Sequence, residues 1–110
     1  MGRYITTIGT AGATTREVST TYQAVVNDRI LANMASSAFT ITLPVSSGAL
    51  TGDTVQIIDI AGNASSNNIT IGCNGAKING ATEDLVIDVA GAIVSLIYSG
   101  TTYGWIIGAV

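Results

Sequence analysis

Apolar and polar residues alternate with a period of two along most of the chain from Thr20 onward, the spacing of a strand that buries one face. In Ala38–Pro44, Phe39, Ile41 and Leu43 share one face, Thr40 and Thr42 take the other, and Pro44 ends the run. Asn67–Cys73 repeats the pattern with Ile69, Ile71 and Cys73. Further strands are predicted at Thr21–Val26, Asp28–Ala32, Asp53–Ile60, Ala76–Ile78, Leu85–Val89, Ala92–Ser99 and Thr102–Gly108. Turn residues separate them, among them Asn27-Asp28, Gly52-Asp53, Gly62-Asn63, Asn74-Gly75, Asn79-Gly80 and Ser99-Gly100. The Asn-Gly pairs suit tight reversals because both residues tolerate positive φ. No window carries a helical period. The pattern predicts an all-β fold, a compact antiparallel β-sandwich or barrel of about nine short strands over residues 20–110. At Ile57-Ile58 the alternation loses phase, which predicts either a bulge or a strand buried on both faces.

Residues 1–19 differ. Gly and Thr dominate, and the apolar Tyr4, Ile5 and Ile8 are sparse. This segment reads as an extended N-terminal arm, and at ~3.3 Å per residue it reaches roughly 60 Å, enough to lie along a neighbouring molecule.

The last two strands pose a covering problem. Val94, Leu96 and Tyr98, with Trp105 and Ile107, are available for the domain's own core, which leaves Ile93, Ile97 and Ile106 on the opposite face. Such a row in water invites aggregation. Either a loop of the same sandwich covers it or symmetry-related copies do; the second reading makes the three isoleucines an interface in a homo-oligomer.

Composition sharpens this. Charged residues form 10% of the 110-residue chain and hydrophobic ones 47%, whereas a soluble domain is ordinarily about 25% charged. The exterior is therefore expected to be neutral Thr, Ser, Asn and Gly, or to be covered by protein. A net charge of −3 without a Lys/Arg cluster excludes nucleic acid as the expected partner. No stretch nears the ~18 unbroken apolar residues of a membrane helix, so no membrane partner is expected. Met1–Thr6 fits the M-G-x-x-x-[ST] acylation pattern, but so short a match carries little weight.

Candidate chemistry is thin. There is no histidine, and Cys73 is the one cysteine, read as a buried thiol. Glu83 and Asp84 are adjacent at a turn. Asp28, Asp53 and Asp59 lack calcium-loop spacing, and no serine or cysteine has a partner base. Asn63 and Asn68 begin glycosylation triplets and read as turn residues. Tyr22, Tyr98, Tyr103 and Trp105 would suit a carbohydrate groove, although a strand tryptophan more often fills a core. The expectation is a protein without catalytic residues, metal, cofactor or small-molecule substrate.

An ordered set of phrases carries a resemblance: Tyr22 with Asp28–Leu31, Phe39–Pro44, Gly52-Asp53, Asp59 with Gly62-Asn63, Asn68–Ile71, Ile78–Gly80, Tyr98 and Gly104-Trp105. Over about residues 20–108 these resemble a β-module of tailed-phage virion proteins, found in tail fibres, baseplates and capsid decoration proteins. The resemblance implies a homotrimeric structural module with no catalytic residues to transfer. Because a short arm and not a fibre shaft precedes the module, it implies a capsid cement (decoration) protein on the outer capsid surface. Its trimers would sit at junctions between capsomers of the major capsid protein, with Tyr4, Ile5 and Ile8 as arm anchors. The alternative is a tail-fibre or baseplate knob used in host attachment.

Overall fold

The computed structural model describes residues 13–109. Among the described residues there are nine strands: β1 (Thr14–Val18), β2 (Tyr22–Gln23), β3 (Asp28–Ala32), β4 (Phe39–Thr42), β5 (Thr54–Asp59), β6 (Ile69–Gly72), β7 (Leu85–Ile87), β8 (Ile93–Tyr98) and β9 (Trp105–Ala109). They form two sheets, ordered β1-β3-β5-β8-β9 and β2-β4-β6-β7. The core lies between them. Ile30, Val55, Ile57, Leu96 and Trp105 come from the first sheet, and Phe39, Ile41, Ile69, Ile71 and Ile87 from the second.

The pairing corrects the antiparallel expectation. Among the described residues, four of the seven pairings are parallel: β1 with β3, β3 with β5, β2 with β4 and β4 with β6. The chain passes from one sheet to the other at each step from β1 to β6. Each circuit lays a strand in register on its predecessor, as in a flattened coil. Antiparallel strands then close the coil, β7 on β6, β8 on β5 and β9 on β8. Both sheets are thus mixed.

The segment assigned to the arm enters the domain earlier than residue 20. Thr14–Val18 pairs with Asp28–Ala32 residue for residue. Tyr4, Ile5 and Ile8 lie outside the described residues. The phase break in β5 is neither a bulge nor full burial on both sides. Register runs unbroken through Ile57 and Ile58 on both neighbours; Ile57 points into the core and Ile58 takes the outer face, half-buried. Ala76–Ile78 forms no strand, and only Ile78 makes isolated bridges.

Buried or turn-facing aspartates fix the connections. Asp59 accepts from the backbone N–H groups of Asn63 (3.3 Å), Ala64 (2.9 Å) and Gly91 (2.9 Å), joining two loops at one carboxylate. Asp53 accepts from Leu50 N–H at 2.7 Å, and Asp84 from Cys73 N–H at 3.0 Å. Asn79-Gly80 is the tight reversal its sequence predicts: both residues have positive φ, and Ile78 and Ala81 bond to each other across it.

The two ends of the five-stranded sheet differ. Lys77–Asn79 lies along the outer edge of β9. Trp105 N–H donates to Lys77 O, Asn79 N–H donates to Trp105 O, and Ile107 N–H donates to Asn79 Oδ1. At the other end, no strand among the described residues pairs with the outer edge of β1.

Candidate interaction surface

The two sheets differ in what they present to the outside, although Val86 of β7, across from Thr70, is an exposed aliphatic side chain on the four-stranded one. On the four-stranded sheet the outward positions of β4 and β6 are Thr40, Thr42 and Thr70, flanked by Gly72 and Gln23. Threonine there gives strand propensity on a face that water can cover. The five-stranded sheet instead presents apolar rows.

Register sets those rows. Side chains directly across a ladder share a face, so Leu31, Ile58 and Ile93 line up across β3, β5 and β8, with Glu17 of β1 at the end of the row. Two residues along, Thr15, Arg29, Gln56, Ser95 and Gly108 form a second, polar row. A third row comprises Thr54, Ile97 and Ile106. Ile93, Ile97 and Ile106 are 42%, 44% and 38% exposed. The structure therefore brings the three expected interface isoleucines onto one face, with Ile97 directly opposite Ile106.

Leu31, Ile58 and the polar row were not singled out from the sequence. The lost phase at Ile57-Ile58 was the signal for Ile58; Leu31 joins the row only through the parallel pairing of β3 with β5. Sheet built from parallel strands is ordinarily covered on both faces, and the β1-β3-β5 portion is parallel.

The polar row is bonded sideways. Arg29 Nε donates to Gln56 Oε1 at 2.9 Å, and Gln56 Nε2 donates to Ser95 Oγ at 3.2 Å. Gln56 and Ser95 are thus already partnered and lose little when water leaves, because the cost of burying polar groups falls on unpaired ones; the charge of Arg29 is not offset in this way. A depression of about 220 Å³ lies beside it, bordered by Ala13, Arg29, Thr54, Gln56, Ser95 and Ile97.

The remaining candidates do not assemble a reactive centre. Trp105 is fully buried and packs on Tyr98 with ring centroids 5.1 Å apart, so both belong to the core. Of the four aromatic residues considered for a groove, Tyr103 alone is largely exposed, at 62%. Cys73 is a buried free thiol. Among the described residues, no group of three or more His, Cys, Asp or Glu is placed to hold a metal ion. The most deeply buried charge, Asp28, accepts from the Tyr22 hydroxyl and from Val25 N–H, and faces Arg16. These contacts hold strands together. What stands out is the exposed aliphatic surface of Ile93, Ile97 and Ile106 on the five-stranded sheet. No protein-family model matches the chain, and no curated protein sequence does.

Proposed function

We propose that this chain is a self-associating structural protein, a homotrimeric cement module of a tailed-phage capsid. The outer face of the five-stranded sheet carries the proposal: five aliphatic side chains in register around a pre-bonded polar row, on a chain with 10% charged residues. Ile93, Ile97 and Ile106 each keep about two fifths of their surface exposed, so covering them contributes roughly 1 kcal/mol apiece at ~25 cal/mol per Å². Leu31 and Ile58 add to that. The virion assignment draws its support from the ordered phrases between Tyr22 and Trp105; the homotrimer and the capsid-contacting Tyr4, Ile5 and Ile8 are part of the same proposal. Trimers spanning capsomer junctions stabilise a shell by adding contacts between its units.

Two measurements test this. Sedimentation equilibrium is expected to give three times the 11.1 kDa chain mass, and Ile97→Asp to give monomer with an unchanged strand spectrum; a dilute wild-type monomer would overturn the proposal. Cryo-microscopy of virions is expected to find many copies over the head. A few copies confined to the tail would replace cement with a tail knob.

A further inference from the structure

Among the described residues, the outer face of the five-stranded sheet carries one cation, Arg29, and one anion, Glu17. Among the described residues, neither makes a salt bridge within its own chain. Both are exposed. Arg29 spends Nε on Gln56, and its two terminal nitrogens bond to no acceptor among the described residues. Glu17 Oε2 accepts from Asn33 Nδ2 at 3.0 Å, which leaves Oε1 open. Gln56 is itself held by Ser95 at 3.2 Å, so the guanidinium is braced from one side and pre-oriented. Arg29 stands in the polar row and Glu17 at the β1 end of the adjacent apolar row.

Covering this face with an apolar partner while Arg29 stays on Gln56 and Glu17 on Asn33 would bury a guanidinium and a carboxylate that are not paired with each other, a heavy desolvation cost. A partner that brings one carboxylate and one cation at matching positions removes that cost and leaves the bonds to Gln56 and Asn33 in place. The face itself has that complement. The other exposed acids, Glu83, Asp84 and Asp88, flank β7 in the opposite sheet.

Resting on the self-association reading above, we infer that the occupant of this face is a second copy of the chain, and that Arg29 of one copy pairs with Glu17 of the next. In a closed ring each copy gives its arginine to one neighbour and its glutamate to the other. Isoleucine rows slide against each other at little cost, since apolar contact has no direction. The charge pair sets the register, because a slip by one row leaves both charges buried against aliphatic carbon.

The test is a charge swap on the full chain, with association constants from sedimentation equilibrium. Arg29→Glu and Glu17→Arg are each expected to weaken association on the order of 30-fold or more, and the double swap to restore it to within about threefold of wild type. Arg29→Met, which keeps the stem without the charge, is expected to weaken it similarly. Trp105 emission reports that each variant is folded. A wild type that stays monomeric removes the self-association reading and this pair with it. A wild type that associates, with single swaps that associate as tightly or a double swap that fails to recover, refutes the pair and leaves self-association standing.

Discussion

The Tyr22 hydroxyl donates to Asp28 Oδ2 at 2.8 Å, and Val25 N–H donates to the same oxygen at 2.9 Å. Asp28 opens β3 in one sheet while Tyr22 opens β2 in the other, so this bond ties the sheets together at their first circuit. Arg16 of β1 joins them: its Nε lies 3.7 Å from Asp28 Oδ1, and its guanidinium carbon is 5.8 Å from the Tyr22 ring centroid. Oδ1 makes no hydrogen bond, so Arg16 supplies charge and not a short bond. One buried carboxylate therefore holds three strands.

This arrangement predicts an alkaline limit. Burial, then the hydrogen bond and negative charge of Asp28, raise the Tyr22 hydroxyl above its ordinary value of 10.0, with Arg16 acting in the opposite direction. A group whose folded-state pKa is raised contributes stability that is fully present below the unfolded value and lost as pH climbs through the folded one. Wild-type stability is expected to fall as pH rises above about 10, and more steeply than that of Tyr22→Phe. Urea midpoints between pH 8 and pH 11 measure the difference; parallel curves would remove Tyr22 from the explanation.

Asp59 gives a larger effect. Three backbone N–H groups from two loops converge on a carboxylate that is 3% exposed. Asp59→Ala leaves those donors without an acceptor and is expected to cost about 3–5 kcal/mol. Asp59→Asn keeps one acceptor oxygen and is expected to cost less. Urea unfolding followed by Trp105 fluorescence reads both; a loss below 1 kcal/mol for the alanine variant would mean that water replaces the carboxylate.

Glycines separate backbone strain from steric clash. Gly62 has φ +72° with nothing within 4 Å of an added Cβ, whereas Gly104, at φ +74°, would drive a Cβ into the Lys77 backbone. Gly62→Ala is expected to cost about 1 kcal/mol, from φ alone. Gly104→Ala adds displacement of the segment that covers β9 and is expected to cost roughly 2–5 kcal/mol. Equal thermal shifts for the two would show that the Lys77 segment yields freely.

Strand positions were legible because alternation is a local signal. Asp28–Ala32 is bounded as its residues predict, and Thr54–Asp59 falls within Asp53–Ile60. Strand direction was not legible. Parallel partners such as Thr14↔Asp28 and Phe39↔Ile69 lie 14 and 30 residues apart (28 minus 14, 69 minus 39), and nothing in one strand's alternation names its neighbour. The Asn-Gly turns drew attention to hairpins, yet Asn74-Gly75 closes a turn from Cys73 to Ala76 without joining two strands. β1 was hidden for another reason. Thr-Thr-Arg-Glu-Val is exposed at its first four positions and has no apolar alternation to detect. On the candidate surface, the isoleucines of β8 and β9 were visible as unspent apolar residues, but Arg29, Gln56 and Ser95 became a row only through register.

The difference between the two margins of the five-stranded sheet gives it a direction. Thr14 N–H donates to Asn27 O and Val18 O accepts from Asn33 N–H, so by parallel geometry the amides of Thr15 and Glu17 point away from the sheet. An extended peptide arriving there finds a ready template; at β9 it meets a margin that the chain has already sealed with Asn79. Two copies meeting there would use up both templates, so edge pairing of this protein would end at a pair and not run on. Asn79→Ala would free the Ile107 amide alone, since the two backbone bonds between Lys77, Asn79 and Trp105 do not depend on that side chain.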